Sequence, residues 1–233
     1  MLLGGLQKNS LIDYPGKICC TVFTIGCNFR CPFCYSGELV LEERIKENKY
    51  QIFEKDFFDF LEQRRGLLEA CVICGGEPTI HKDLIDFATK IKKMGFLVKL
   101  DSNGSNPNMW KELLEKNLID FVAMDVKATK EKYGFYSGNK ADIKKIEESV
   151  EILKNSKIDF EFRTTVAPGI EERDLIEIGN WIQGKNVNYS LQEFNNQKEI
   201  LDKEILKLPI LDAKTLEKIV EKLKPKFQSC KLR

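Results

Sequence analysis

The chain has 233 residues with 37 basic and 36 acidic side chains, and its formal net charge of +1 leaves no bulk field to draw nucleic acid or an anionic membrane. With 42% hydrophobic and 31% charged residues it has ordinary globular composition, long enough for a full core without disulfide staples, and no apolar run approaches the ~20 residues a membrane span needs. The N-terminal stretch MLLGGLQKNSLIDYPG does not read as a secretory signal, so eight cysteines with a single His predict a reducing, cytoplasmic setting where clustered cysteines mean metal or redox chemistry.

One domain is the simplest organisation: a core over about residues 17–195 and a C-terminal helical tail over 196–233. In chain order the β-rich apolar runs are Ile18–Ile25, Ala70–Cys74, Phe96–Leu100, Phe121–Val126, Phe160–Val166 and Tyr189–Phe194. Between them lie candidate helices at Glu54–Arg65, Leu84–Lys93, Pro107–Glu115, Ile143–Lys154 and Glu171–Ile182, with Ala213–Leu223 after the last strand. Leu84, Phe87, Ala88 and Ile91 form one apolar face, and Ile143, Ile146, Val150 and Leu153 another, each wide enough to cover a sheet. Gly95 suits a helix C-terminus and Pro107 a helix first turn. Strand–helix units in series predict an α/β fold with a parallel sheet and right-handed crossovers. An open doubly wound sheet and a barrel compete. Six units are too few for the eight-stranded barrel of ~250 residues, which favours a partial (β/α)6 barrel.

A polar or glycine-rich cluster follows each strand: Gly26–Cys34, Gly75–Pro78, Asp101–Gly104, Asp125–Lys127, Arg163 with Pro168–Gly169, and Gln192–Glu193. In parallel α/β folds ligands gather at that end of the sheet. Within the first cluster, GCNFRCPFC places Cys27, Cys31 and Cys34 at the spacing C-x3-C-x2-C. Three such thiols are either small buried hydrophobes, part of a zinc site, or the anchors of a cubane iron–sulfur cluster with one iron left open. Zinc usually takes four ligands in two pairs, and here there is one triplet. The remaining five cysteines read as structural. Cys19 and Cys20 are adjacent on a strand, Cys71 and Cys74 are three apart on another, and both spacings put thiols on opposite faces; Cys230 stands alone.

The loop GCNFRCPFC, then GGEP and DSNG, resembles the radical S-adenosylmethionine superfamily. The motifs SLIDYPGK, MDVKAT, RTTVAPG and LQEF are similar to glycyl-radical-enzyme activating proteins, in particular those of anaerobic ribonucleoside-triphosphate reductase, and the resemblance runs from about Gly4 to Phe194. It implies an oxidoreductase holding a [4Fe–4S] cluster on Cys27, Cys31 and Cys34. S-adenosylmethionine would bind the open iron, and an electron from a flavodoxin- or ferredoxin-type donor would release a 5′-deoxyadenosyl radical. That radical would take a hydrogen from a glycine of a partner glycyl radical enzyme. An open iron implies activity only without oxygen.

The resemblance also assigns the cofactor contacts. Phe33 would lie beside the adenine, and Gly75, Gly76 and Glu77 would receive the methionine ammonium. Asp101, Ser102 and Asn103 would serve the ribose or the methionine end, and Asp101, Ser102 and Asp125 match a pattern that binds a monovalent cation. Lys127 and Arg163 would clamp the carboxylate or position substrate, with Gln192 facing the same mouth. Tyr35-Ser36 stand where relatives show His-Asn, which joins Tyr35 to the cofactor residues while shifting adenine or substrate contacts. Each has a plainer reading: Phe33 as core, GGEP and Asn103–Gly104 as turns, the cations as solvated strand ends. Lys130–Lys140 reads as a loop, and the Lys/Glu-rich tail from Asn195 as a solvated amphipathic helix. Two rival functions remain: a radical maturase or small-molecule enzyme on the same site, and a non-catalytic iron–sulfur or zinc module.

Overall fold

Apolar runs bounded by turns become strands, and charged segments with apolar residues three and four apart become the helices between them. The computed structural model describes residues Met1–Arg233. In chain order it contains β1 (Leu3–Ser10), β2 (Cys19–Thr24), α1 (Gly37–Val40), α2 (Glu42–Glu47), α3 (Glu54–Gln63), β3 (Ala70–Gly75), α4 (Leu84–Lys93), β4 (Leu97–Ser102), α5 (Pro107–Glu115) and β5 (Phe121–Asp125). There follow α6 (Tyr133–Ser137), α7 (Ile143–Lys154), β6 (Asp159–Val166), α8 (Glu172–Ile182), β7 (Gly184–Glu193), α9 (Ala213–Leu223) and β8 (Phe227–Leu232). The strands form one eight-stranded sheet in the order β1 to β8. β1 runs antiparallel to β2, whereas the pairs β2–β3, β3–β4, β6–β7 and β7–β8 are parallel. This is the α/β, mostly parallel architecture the strand–helix units predict. No helix is long and apolar enough to cross a membrane.

The sheet has two strands more than the six expected. β1 contains two glycines and shows no clean alternation, and β8 lies in a Lys/Glu-rich tail with only Phe227 and Cys230 buried. Both are held by pairing rather than by their own pattern. The tail is therefore not a helix alone. The expected loop over 130–140 contains α6, where burial of Tyr133 and Tyr136 overrides a weak helix former at Gly134.

By internal contact the chain divides into two units. The first comprises Met1–Asn28, Ser36–Ser102 and Asn106–Val122. Here β2 and β3 pair from Cys19↔Ala70 to Thr24↔Gly75. The predicted face of α4 is fully buried, each such Leu, Ile or Phe contributing roughly 1.5–3 kcal/mol. Phe87 stacks on Phe57 of α3 with ring centroids 5.2 Å apart. Gly95, at φ +91°, ends α4 in the left-handed region that favours glycine. Asn106 caps α5 by accepting the Met109 N–H, with Pro107 in the first turn.

The second unit comprises Phe29–Tyr35, Asn103–Ser105 and Ala123–Arg233. β6 and β7 pair from Glu161↔Asn188 to Val166↔Glu193. Ile146, Val150 and Leu153 of α7 are buried, as are Leu175, Ile178 and Ile182 of α8. A capping box between Glu171 and Asp174 starts α8 one residue later than the periodicity suggests.

Candidate active site

In the first unit the ends of β2 and β3 meet backbone to backbone. The Gly26 N–H donates to the Leu39 carbonyl at 2.7 Å, and the Gly26 carbonyl accepts the Glu77 N–H at 2.8 Å. A Cβ on Gly76 would fall 2.0 Å from that carbonyl oxygen, and one on Gly75, whose φ is +115°, would fall 2.3 Å from the Thr24 nitrogen. The two glycines are thus required by the chain's own backbone. This local reason stands beside the ligand contact that the resemblance assigns to them.

Glu77 is fully buried. Its Oε1 accepts the Thr79 N–H at 3.0 Å, the Thr79 hydroxyl, and the Ser102 hydroxyl at 2.8 Å, capping the single helical turn Pro78–Ile80. Asn106 supports that turn by donating to the Thr79 carbonyl at 2.7 Å. One strand over, Asp101 lies 2.6 Å from the ammonium of Lys99, a lysine with 2% of its side chain exposed. Lys99 is a feature the sequence reading does not single out, although residues two apart on a strand share a face.

In the second unit Asp125 sits between two cations. Arg163 Nε lies 2.8 Å from Asp125 Oδ1, and Lys127 Nζ lies 3.0 Å from Oδ2. Burial works to raise the Asp125 pKa, but the Arg163 and Lys127 charges outweigh it and hold the carboxyl at about 2. Burial likewise works against the Lys127 ammonium, and the negative charge of Asp125 carries its pKa above the ordinary lysine range. Arg163 and Lys127 thus set two cationic groups on one carboxylate, groups of the kind that hydrogen-bond an anion such as a carboxylate. Lys127 also lies 5.9 Å from the Phe33 ring centroid, and its N–H donates to the Tyr133 hydroxyl at 3.4 Å.

Phe33 itself is buried and packs on Tyr136, with ring centroids 6.1 Å apart. Gln192 accepts the Thr165 hydroxyl at 3.3 Å. Asn103 is buried and its side chain accepts the Ser105 N–H at 2.9 Å, the tight-turn geometry. Tyr35 stacks on Phe194 at 5.7 Å, and its hydroxyl accepts the Asn195 N–H at 2.7 Å. Of the residues matching a monovalent-cation pattern, Asp101 is paired with Lys99, the Ser102 hydroxyl serves Glu77, and Asp125 is held by Arg163 and Lys127. A cation at any of them has to displace or share a protein partner.

Cys31 is buried, while Cys27 and Cys34 are half-buried. Burial pushes the Cys31 thiol up to about 11, with the Lys127 charge opposing it. At neutral pH it is therefore protonated and packs as a small hydrophobe. No three His, Cys, Asp or Glu side chains stand posed as a ready-made metal group. Metal binding here has to release thiol protons.

Residues 21–182 match the family model of the radical SAM superfamily, and the chain belongs to that superfamily. A Methanocaldococcus jannaschii protein provisionally named a glycyl-radical enzyme activating enzyme is 35% identical over 90% of this chain and 86% of its own length. A second, similarly named protein of that organism is 29% identical over 77% of this chain and 69% of its own. Among solved structures, Streptococcus suis SuiB bound to its precursor peptide SuiA superposes with a TM-score of 0.67 at 13% identity, covering 91% of this chain and 48% of that one, a likeness of fold.

Membership makes the protein a radical SAM enzyme and implies a [4Fe–4S] cluster and S-adenosylmethionine. The donor set fits: three soft thiols within one eight-residue stretch suit iron–sulfur ligation and no hard cation.

Proposed function

We propose that this enzyme activates a partner protein by taking a hydrogen atom from one of its glycine Cα positions, with an anaerobic ribonucleotide reductase as the first candidate partner. The observation that carries the reading is Lys127, which sits on the Asp125–Arg163 cluster while its charge reaches the Cys31 thiol and the Phe33 ring. An anion-binding cluster beside the cysteine loop is what a methionine carboxylate next to an iron–sulfur cluster requires. The provisional names of the two M. jannaschii relatives support a glycyl radical enzyme as the substrate.

When bound, the cluster supplies one electron to the sulfonium of S-adenosylmethionine, releasing the adenosyl radical that takes the glycine hydrogen. Cys27, Cys31 and Cys34 would hold the cluster. Arg163 and Lys127 would grip the methionine carboxylate, and Asp125 keeps both cations aimed and charged. Within the first unit, Thr79 and Ser102 fix the direction of the Glu77 carboxylate, to which the resemblance assigns the methionine ammonium. The protein contributes orientation and a shielded site, and the cofactors carry the hard chemistry.

The test is anaerobic. Reconstituted protein with a strong reductant and S-adenosylmethionine is mixed with the candidate reductase, and paramagnetic resonance is recorded. A glycyl-radical doublet with 5′-deoxyadenosine release supports the reading. Release of 5′-deoxyadenosine without a doublet on any candidate partner favours a radical maturase or small-molecule enzyme. One zinc per chain and no turnover leaves a binding module.

A further inference from the structure

We infer that Tyr35 is a positioning residue for the cysteine loop, fastening the segment after β7 across it so that the backbone on both sides of Cys34 is set before a cluster binds. The inference rests on the cluster-bearing reading of that loop and not on the identity of the substrate.

Four contacts within the second unit hold the stretch Phe29–Tyr35. The Arg30 N–H donates to the Ser137 carbonyl at 3.0 Å, at the end of α6. The Asp202 N–H donates to the Pro32 carbonyl at 3.0 Å, and the Leu201 N–H to the Cys34 carbonyl at 3.1 Å. The Tyr35 hydroxyl accepts the Asn195 N–H at 2.7 Å. Three of the four partners, Asn195, Leu201 and Asp202, belong to one segment that carries no motif of its own.

That segment meets the loop from the solvent side. Of residues 195–199 all are exposed, and Ile200 is the first to be buried. Its approach to the loop is made at Tyr35, where the ring stacks on Phe194 with planes 21° apart and the Lys198 ammonium lies 5.3 Å from the ring centroid. Tyr35 thus ties the chain to the loop ahead of Leu201 and Asp202, beside the anchor that buried Ile200 supplies. Their N–H groups then orient the peptide that precedes Phe33 and the one that follows Cys34. A ligand thiol follows its backbone, and hydrogen bonds one step removed from a metal orient its ligands and tune its electronics.

The test uses full-length protein reconstituted with iron and sulfide without oxygen, comparing wild type, Tyr35→Phe and Tyr35→Leu. Phe keeps the stacked ring and loses the acceptor; Leu loses both. The readouts are iron per chain, the resonance spectrum and midpoint potential of the reduced cluster, and circular dichroism of the iron-free protein. Tyr35→Leu is expected to hold at least twofold less iron and to change the reduced spectrum while the iron-free fold is intact. Tyr35→Phe is expected to recover most of the iron but keep a shifted potential. Wild-type iron, spectrum and potential in both variants overturn the inference alone. If Tyr35→Leu fails to fold, Tyr35→Phe decides by the same potential: unchanged overturns, shifted supports. Absence of iron in the wild type overturns the cluster reading and this inference with it.

Discussion

The Arg163 guanidinium and the Asp125 carboxylate meet at 2.8 Å, across the ends of neighbouring strands in the sheet order, and the remaining carboxylate oxygen is taken by Lys127. The carboxylate aims both cations. Arg163→Met removes one of the two cations on Asp125 and leaves Lys127 in place. A hydrogen bond to a charged group is worth about 1.5–3 kcal/mol, so S-adenosylmethionine should bind roughly 10- to 100-fold more weakly. Equilibrium dialysis against the reconstituted variant measures this, and unchanged affinity removes Arg163 from the anion site.

Gly76 makes a separate prediction, because its role is set by Gly26 rather than by a ligand. Gly76→Ala places a methyl group 2.0 Å from a backbone oxygen that cannot yield as a side chain would. The iron-free protein should lose about 3 kcal/mol of stability in urea. A variant as stable as wild type, but unable to bind S-adenosylmethionine, returns Gly76 to the role of a ligand cradle.

His81 is the single histidine, so its titration is read without overlap. Burial lowers its pKa from 6.5, a contact with the Ile25 backbone opposes this less strongly, and its Nε2 is buried with no partner. The unfolded chain therefore takes the proton first. Stability is undiminished above pH 6.5 and declines as pH falls from there to the folded value. Proton resonance of the imidazole should give a midpoint below 6.5; one at or above it contradicts the buried, neutral ring.

The cysteines divide cleanly by expected effect. Cys31→Ala removes one of three anchors and should reduce iron content and 5′-deoxyadenosine release to background. Cys71→Ala and Cys230→Ala, both in buried strand positions, should leave about four irons per chain. Iron retained in Cys31→Ala, or lost in either of the others, reassigns the cluster.

Much of the architecture was legible because helical spacing is a strong signal. Leu84–Lys93, Pro107–Glu115, Ile143–Lys154 and Ala213–Leu223 are helices over the very residues the periodicity predicts. β1 and β8 were not, since a strand held by its neighbour needs no pattern of its own. At the site, Lys99 and Asp101 are two residues apart on β4, a spacing that already puts the pair on one face, whereas Lys127 lies beyond the end of β5 and its pairing with Asp125 is set by the loop. Arg163 and Glu77 stood out by type, but the burial of Glu77 beneath Thr79 and Ser102 is a tertiary fact. The clamps on the cysteine loop leave no trace in sequence, because backbone N–H groups donate regardless of the side chain they carry.

Those clamps also impose an order on biogenesis. Asn195 follows Tyr35 by 160 residues, which at about 5–20 residues per second means about 8–30 s of translation. Nascent chains still on the ribosome expose thiols whose final scaffold has not been made. The backbone that clamps the cysteine loop is complete only once Asp202 has been made.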